Sequence, residues 1–375
     1  MDLIVFSHLR WDFVYQRPQH VLSRFGARGW NVFFVEEPLD GAAALSTREV
    51  APGVTVVRTS VPAALPTAVR ERQLRDLLRD EWRQRRIERP VLWFYTPMAL
   101  PLGEGLEPAA IVYDCMDELS AFLGANELLP QRESELLEIA DLVFTGGRRL
   151  YEAKRGRHPA VHCFPSSVDA HHFMLARGWR DERPDQAGIP RPRLGYFGVI
   201  DERFDIELID GMARLSPGWS YVMVGPVVKI DPAVLPHHPN IHYLGPKSYA
   251  DLPAYIATWD VALIPFARNE ATRYISPTKV LEYMAAGTPI VSTSIADIVT
   301  PYGERRLVRI ADRPFFAVAA AVEAMSEHRQ ARLEAFDRFL AGTSWDGTVR
   351  EMERLVLEAA GEQQPETTSI ATAAD

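Results

Sequence analysis

"SPTKVLEYMAAGTPIV", Ser276 to Val291, is the stretch on which the fold turns. Ser276, Pro277 and Thr278 predict a helix start, with a hydroxyl at the N-cap and proline in the first turn, where its missing N–H costs nothing. Lys279 falls in that same turn. A cation there faces the positive end of the helix dipole, a mismatch of roughly 0.3–1 kcal/mol, and it occupies the place where a capping-box Glu would help. An anion bound at the helix start turns the mismatch into a trap for negative charge. Glu282 follows at i+3 on the same face, and the small residues of "MAAG" lead through a turn into the apolar strand "PIVST".

Outward from this helix, short apolar runs alternate with helical patterns. "LIVFSH", "NVFFVEE", "VTVVRT", "VLWFYT", "AIVYDC" and "LVFTGG" are β-branched or aromatic strand candidates, with amphipathic segments such as Arg17 to Arg28 and Val69 to Glu88 between some of them. That alternation predicts a parallel α/β sheet. It pauses between "VHCFPSSVDAHHF" and "RDERPDQAGIPRPR", a linker rich in Pro, Arg and Asp, and restarts with "RLGYFGVI", "SYVMVG", "IHYLG", "VALIPF", "PIVST" and "LVRIAD". Two such units set face to face enclose a crevice lined by strand carboxyl ends, where open α/β sheets bind ligands. The polar tail "GEQQPETTSIATAAD" reads as disordered.

Composition excludes several classes. With 375 residues, 47% hydrophobic and 24% charged, the chain has enough apolar residues for two cored domains. A formal charge of -9 argues against a nucleic-acid binder, although a local basic patch can still hold a phosphate. Two cysteines, Cys115 and Cys163, make neither a disulfide framework nor a metal site, which fits a reducing cytoplasm. The opening "MDLIVFSHLRW" has no signal-peptide pattern, and no run of about 18 apolar residues occurs. The glycine fingerprint of dinucleotide enzymes, the P-loop, the H-E-x-x-H zinc motif and the G-x-S-x-G elbow are all missing. His171 with His172 and His237 with His238 are adjacent pairs that share no helix face, and they read as surface or loop residues.

The order of features from "RLGYFGVIDERFDIELI" through "YVMVGP" and "PNIHYLGPKSYADLPAYIATWDVALIPF" to "SPTKVLEYMAAGTPIVST" resembles the nucleotide-sugar half of GT-B glycosyltransferases, especially the bacterial family-4-like group. "FPSSVDAHHF" is similar to that group's domain connection, and "WDFVYQRPQHVLSRFGARGWNVFFVEEP" to its opening loop and helix. The resemblance implies two Rossmann-like domains facing across a cleft. Residues 1–170 would form the acceptor-side domain and 171–345 the nucleotide-sugar domain, with a helix over 346–360 packing back on the first and a disordered tail over 361–375.

The same resemblance implies roles for particular residues. Such enzymes carry two glutamates separated by seven residues, the second bonded to the ribose. Glu282 matches the second. Tyr274 stands where the first, which faces the donor sugar, is expected, and Glu270 is out of register. Arg203 in "GVIDERFD" is the basic candidate for the diphosphate, with Lys279 as the second charge. Gly198 follows the first strand of the donor domain, and Lys247 and Tyr249 lie in the loop that flanks the base. Across the crevice, Asp114 and Asp117 at the end of "AIVYDCMDEL" are the catalytic candidates, Asp117 the better one, and His8 is the fallback base. Arg10, Trp11, Arg17 and Gln19 are expected on the acceptor side.

From the residues themselves, Ser276, Thr278 and the free N–H groups of the helix start suit a diphosphate, and Lys279 adds a charge that needs no bidentate geometry. Glu282 beside it suits the two hydroxyls of a ribose. The competing reading is an i,i+3 surface pair worth a few tenths of a kcal/mol. The expectation is thus a cytoplasmic, metal-independent glycosyltransferase, at the inner face of the membrane if the arginine-rich helix over Val69 to Glu88 docks there. It would use no cofactor and move a sugar from a UDP-, GDP- or dTDP-linked donor to a glycan or lipid-linked acceptor of the cell envelope. The alternatives are a nucleotide-sugar 2-epimerase of the same fold and an inactive subunit that binds a partner transferase.

Overall fold

The structure, a computed structural model, describes residues 1–362. The predicted tail falls, from residue 363 on, outside the described residues.

The first unit runs β1 (Asp2–Phe6), α1 (Arg17–Ala27), β2 (Asn31–Val35), β3 (Leu39–Asp40), β4 (Ala44–Ala51), β5 (Val54–Val61), α2 (Thr67–Gln84), β6 (Val91–Phe94), β7 (Ala110–Cys115), α3 (Leu129–Ile139), β8 (Leu142–Thr145), α4 (Arg148–Lys154) and β9 (Val161–Cys163). Its strands lie in the order β3-β5-β2-β1-β6-β7-β8-β9, parallel throughout, with β4 antiparallel on β5. Strands buried on both faces read as continuous apolar runs, which is why β1, β2 and β6 stand out in the sequence. Strand β4, "ALSTREVA", was not among the predicted strands. It is mostly exposed and charged, as suits a strand that must not recruit another chain.

The second unit runs α5 (Ala170–Met174), β10 (Arg193–Phe197), α6 (Ile206–Leu215), β11 (Ser220–Val224), β12 (Ile241–Gly245), α7 (Leu252–Ile256), β13 (Val261–Ile264), α8 (Lys279–Ala286), β14 (Ile290–Ser292), α9 (Ala296–Ile298), β15 (Arg309–Ile310), α10 (Pro314–Ser326) and α11 (Arg329–Leu340). Its parallel sheet has the order β12-β11-β10-β13-β14-β15. In both sheets the chain order reverses beside the first strand, between β1 and β6 and between β10 and β13. Those switch points leave a gap between diverging loops at the strand carboxyl ends, where ligands bind in such sheets.

The last helix, α12 (Trp345–Ala359), leaves the second unit and joins the first. Trp345, Val349, Met352 and Val356 share one buried cluster with Val5, Val21 and Phe25, and the Trp30 indole donates to Glu353 Oε1 at 2.8 Å. A second tie between the units is Asp297, whose carboxylate accepts the Arg148 N–H at the start of α4 at 2.9 Å.

The arginine-rich helix does not offer an apolar face to a bilayer. Leu74, Leu78 and Trp82 of α2 are buried against the first sheet, because that stripe covers the sheet's own apolar face. Arg75, Arg79, Arg83 and Arg85 pair with Glu104, Asp76, Asp80 and Glu81. No helix among the described residues is long and apolar enough to cross a membrane.

Candidate active site

A crevice of ≈ 420 Å³ lies between the units, lined by the loop Trp11–Gln16 on one side and by Gly198, Arg203, Gly225, Phe266, Thr278, Lys279 and Glu282 on the other. Two glycines shape its floor. Gly198 (φ 143°) and Gly225 (φ 146°) follow β10 and β11 in conformations that L side chains rarely adopt. A Cβ on Gly225 would stand 1.8 Å from the Gly198 carbonyl oxygen, and one on Gly198 would stand 2.3 Å from Lys279 Cε. Only bare backbone lets the lysine cross the strand end.

Lys279, the first residue of α8, is held by aromatic rings rather than by a carboxylate. Its ammonium lies 5.7 Å from the Tyr196 ring centroid, 5.8 Å from Phe197 and 5.9 Å from Phe266, and it makes no ion pair among the described residues. Burial lowers its pKa against the pull of Glu282. One turn on, Glu282 is buried, and its Oε2 has no hydrogen-bond partner among the described residues. Burial pushes its carboxyl up to about 7, with Lys279 and Thr278 opposing. A desolvated cation and an unsatisfied carboxylate side by side are costly unless a ligand completes both.

Arg203 is clamped by the buried Asp201, with Nε 3.0 Å from Oδ1 and Nη2 2.6 Å from Oδ2. Its Nη1 makes no hydrogen bond among the described residues and stays available. The guanidinium covers the Phe122 ring at 5.4 Å, and the Lys229 ammonium lies 4.9 Å from the same ring. Asp117 belongs to this cluster. Burial raises its carboxyl to about 6, Arg203 and Lys229 pull it down, and Asp201 pushes it up. His8 is neutral, lowered to about 4 by burial and by Lys229, and its Nδ1 has no partner.

Residues 191–328 match the family model described as Glycosyl transferases group 1. The second unit is that of a group 1 glycosyltransferase, and the whole chain has the GT-B fold. It is 24% identical over 289 residues, 71% of each chain, to the putative teichuronic acid biosynthesis glycosyltransferase TuaH of Bacillus subtilis (strain 168). Among solved structures it is similar to the sucrose-phosphate synthase of Thermosynechococcus elongatus, with a TM-score of 0.72 at 15% identity, covering 95% of this chain and 98% of that one. It is also similar to the Escherichia coli trehalose-6-phosphate protein bound with UDP-2-fluoro glucose, with a TM-score of 0.66 at 13% identity over 95% and 99% of the two chains. The Burkholderia xenovorans UDP-forming trehalose-phosphate synthase in complex with glucose-6-phosphate gives 0.65 at 14% over 95% and 99%.

Gly198, Arg203, Lys247, Tyr249, Thr278, Lys279 and Glu282 converge on one crevice. Other residues expected there have different work. Helix α8 begins at Lys279, with Thr278 at the N-cap and no side-chain cap. Ser276 therefore does not cap it. Its carbonyl accepts the Ser166 hydroxyl at 2.8 Å, and its side chain packs where a Cβ on Gly147 would stand, so Ser276 belongs to the seam between the units, and Pro277 is not in the crevice lining. Asp114 is fully buried in a forked pair with Arg17, at 2.9 Å from Nη2, and Arg17 also donates to the Phe164 carbonyl. A carboxylate so enclosed cannot meet an acceptor, and Arg17 is spent on it.

Of the four residues expected on the acceptor side, Trp11 lines the crevice, whereas Arg10, Arg17 and Gln19 are not in its lining. Gln19 is buried and staples the loop, donating to the Trp11 and Val14 carbonyls at 2.8 and 3.0 Å and accepting the Gln16 N–H at 3.0 Å. Arg10 reaches back to the buried Glu36 at 3.5 Å. Lys247 is bound to Asp185 at 2.7 Å, and the Tyr249 ring is stacked on both Tyr15 (4.5 Å) and His172 (4.3 Å). Both residues line the crevice, and the Tyr249 hydroxyl has no hydrogen-bond partner among the described residues. Tyr274 turns out of the crevice and packs on the core of the first unit, while Glu270 lines a separate cleft with Glu118 and Ser120.

Sequence reasoning missed Lys229 and the aromatic box of Tyr196, Phe197 and Phe266. A basic residue in "GPVVKID", just after the β11 strand end, was a signal for Lys229. The box has no sequence signal, since its rings come from two strands.

Proposed function

We propose that the enzyme moves a sugar from a nucleoside diphosphate donor to a glycan or lipid-linked acceptor of a cell-envelope polysaccharide. The observation that carries this reading is the paired deficit at α8, where the Lys279 ammonium lacks a carboxylate and Glu282 Oε2 lacks a donor. A diphosphate supplies the first and a ribose diol the second, at the spacing of one helical turn. The B. subtilis relative, named for teichuronic acid biosynthesis, supports the envelope role.

In this reading Lys279, Arg203 Nη1 and the first N–H groups of α8 meet charge that grows on the leaving diphosphate as the glycosidic bond breaks, which is where preorganised donors lower a barrier most. Gly198 and Gly225 let the phosphates approach the backbone. Asp117, whose carboxyl feels the charges of Arg203 and Lys229, accepts a hydrogen bond from the attacking acceptor hydroxyl and needs its ionised form to do so. Among the described residues no three His, Cys, Asp or Glu side chains converge on a metal position, and these cations are the chain's own charge for the diphosphate. Calorimetric titration with UDP, GDP and dTDP tests the reading. Binding of one of them, weakened in Glu282→Ala, supports it, and no binding of any overturns it.

A further inference from the structure

The second unit has another concavity, at the opposite end of its sheet from the crevice. It has a volume of ≈ 700 Å³ and lies where β10, β13 and β14 begin, between the carboxyl end of α8 and the first turn of α11. Its lining includes five arginines, Arg177, Arg180, Arg191, Arg329 and Arg332, against two carboxylates, Asp260 and Glu327. In a chain of formal charge -9 that is a local reversal of sign.

Three of the guanidinium groups are held in place. Arg177 Nε donates to the Ala285 carbonyl at 2.7 Å and its Nη2 pairs with Asp337 at 2.6 Å. Arg332 Nε donates to the Gly287 carbonyl at 3.3 Å, and Nη1 lies 3.5 Å from Glu327. Arg191 forks onto Asp260 at 2.6 Å. Arg180 and Arg329 make no hydrogen bond or ion pair among the described residues. Burial lowers the Arg332 pKa, Glu327 opposes this, and the neighbouring Arg329 and Arg309 lower it further.

We propose that this cavity is a binding site for a phosphate-bearing polyanion, distinct from the donor crevice. Planar guanidinium forks held in fixed directions match phosphate oxygens bidentately, and several of them converging favour a ligand of two or more negative charges. The ligand sits on Arg180 and Arg329 beside Arg332, while Arg177, forked onto Asp337, adds positive charge to the wall. It needs no displacement of a buried carboxylate, because the two free arginines lie at the mouth.

Tripolyphosphate titrated calorimetrically into the full chain at fixed salt is the probe. Two variants separate the sites: Arg180→Ser with Arg329→Ser, both exposed positions whose replacement leaves the fold intact, and Lys279→Ala, which disables the crevice. The expected result is binding that survives Lys279→Ala and weakens about tenfold or more in the double variant. Binding lost in Lys279→Ala and kept in the double variant overturns the proposal, as does the absence of binding in wild type. Cosedimentation with vesicles of phosphatidylcholine containing phosphatidylinositol 4-phosphate identifies the source. Vesicle binding that depends on Arg180 and Arg329 assigns the phosphate to a lipid headgroup, and binding of tripolyphosphate alone assigns it to a soluble ligand. Failure of both arms overturns the site without touching the reading of Glu282.

Discussion

Lys279 and Glu282 stand one turn apart on α8 and face the same crevice without forming an ion pair. The ammonium sits among Tyr196, Phe197 and Phe266, and Glu282 Oε2 has no partner among the described residues. A solvated surface pair at this spacing would close on itself. A buried Glu282 beside a half-buried Lys279, each left incomplete, points to a place prepared for a ligand.

If Glu282 holds the ribose diol, Glu282→Ala weakens nucleoside diphosphate binding by roughly 1.5–3 kcal/mol, the scale of hydrogen bonds to a charged group. Isothermal calorimetry against whichever nucleotide binds wild type measures this. Equal affinities in the two proteins remove Glu282 from the site.

The same residue costs the free protein stability. Its carboxyl titrates at about 7 in the folded chain, against the 4.5 of an ordinary glutamate, so the folded chain binds more protons between those values and stability falls as pH rises through them. Glu282→Gln has no proton to lose. It is expected to be more stable than wild type at pH 8, by on the order of 3 kcal/mol, with a much smaller difference at pH 5. Urea unfolding of the ligand-free proteins at both pH values decides it, and a variant less stable than wild type at pH 8 contradicts the assigned shift.

Lys279→Ala is expected to lower turnover by roughly 100-fold, as for loss of one donor to developing charge, while binding of the free nucleoside stays nearly unchanged. Arg203→Ala should act in the same direction but also release Asp201, so its stability falls as well. Comparable losses of nucleoside and diphosphate affinity in Lys279→Ala would mean the ammonium does not meet the phosphates.

Turnover should rise with pH through about 6, where Asp117 ionises, and fall about tenfold per pH unit well below it. Asp117→Asn should lose roughly 100-fold or more in turnover, and this limb of the profile with it, with donor binding nearly intact. His8 is neutral across that range, so His8→Ala leaves the limb in place. A limb that persists in Asp117→Asn assigns it to another group.

Much of the fold was legible because its strands are buried on both faces. Runs such as "LIVF", "NVFFV" and "SYVMV" have to be apolar throughout, and alternation with amphipathic helices then implies parallel order. The edge strand β4 escaped notice for the opposite reason, since exposure removes the apolar signal. At the site, Lys279 and Glu282 were readable together because both lie on one helix, where spacing in the chain is spacing in space. Asp114, Arg17 and Gln19 were not, since their partners are 97 residues away for the ion pair or lie in a loop without regular geometry.

Local order in the chain therefore determined the elements, the two-unit plan and the helix start that meets the ligand, all set by interactions between near neighbours. Tertiary structure alone decided which polar groups remain free. Asp114 is consumed by Arg17 and Lys247 by Asp185, whereas among the described residues Lys279 has no ion pair and Glu282 Oε2 and the Tyr249 hydroxyl have no partner. A side chain's chemistry is written in its residue type, but its availability depends on what packing brings against it from distant parts of the chain. Burial then fixes the charge state it offers.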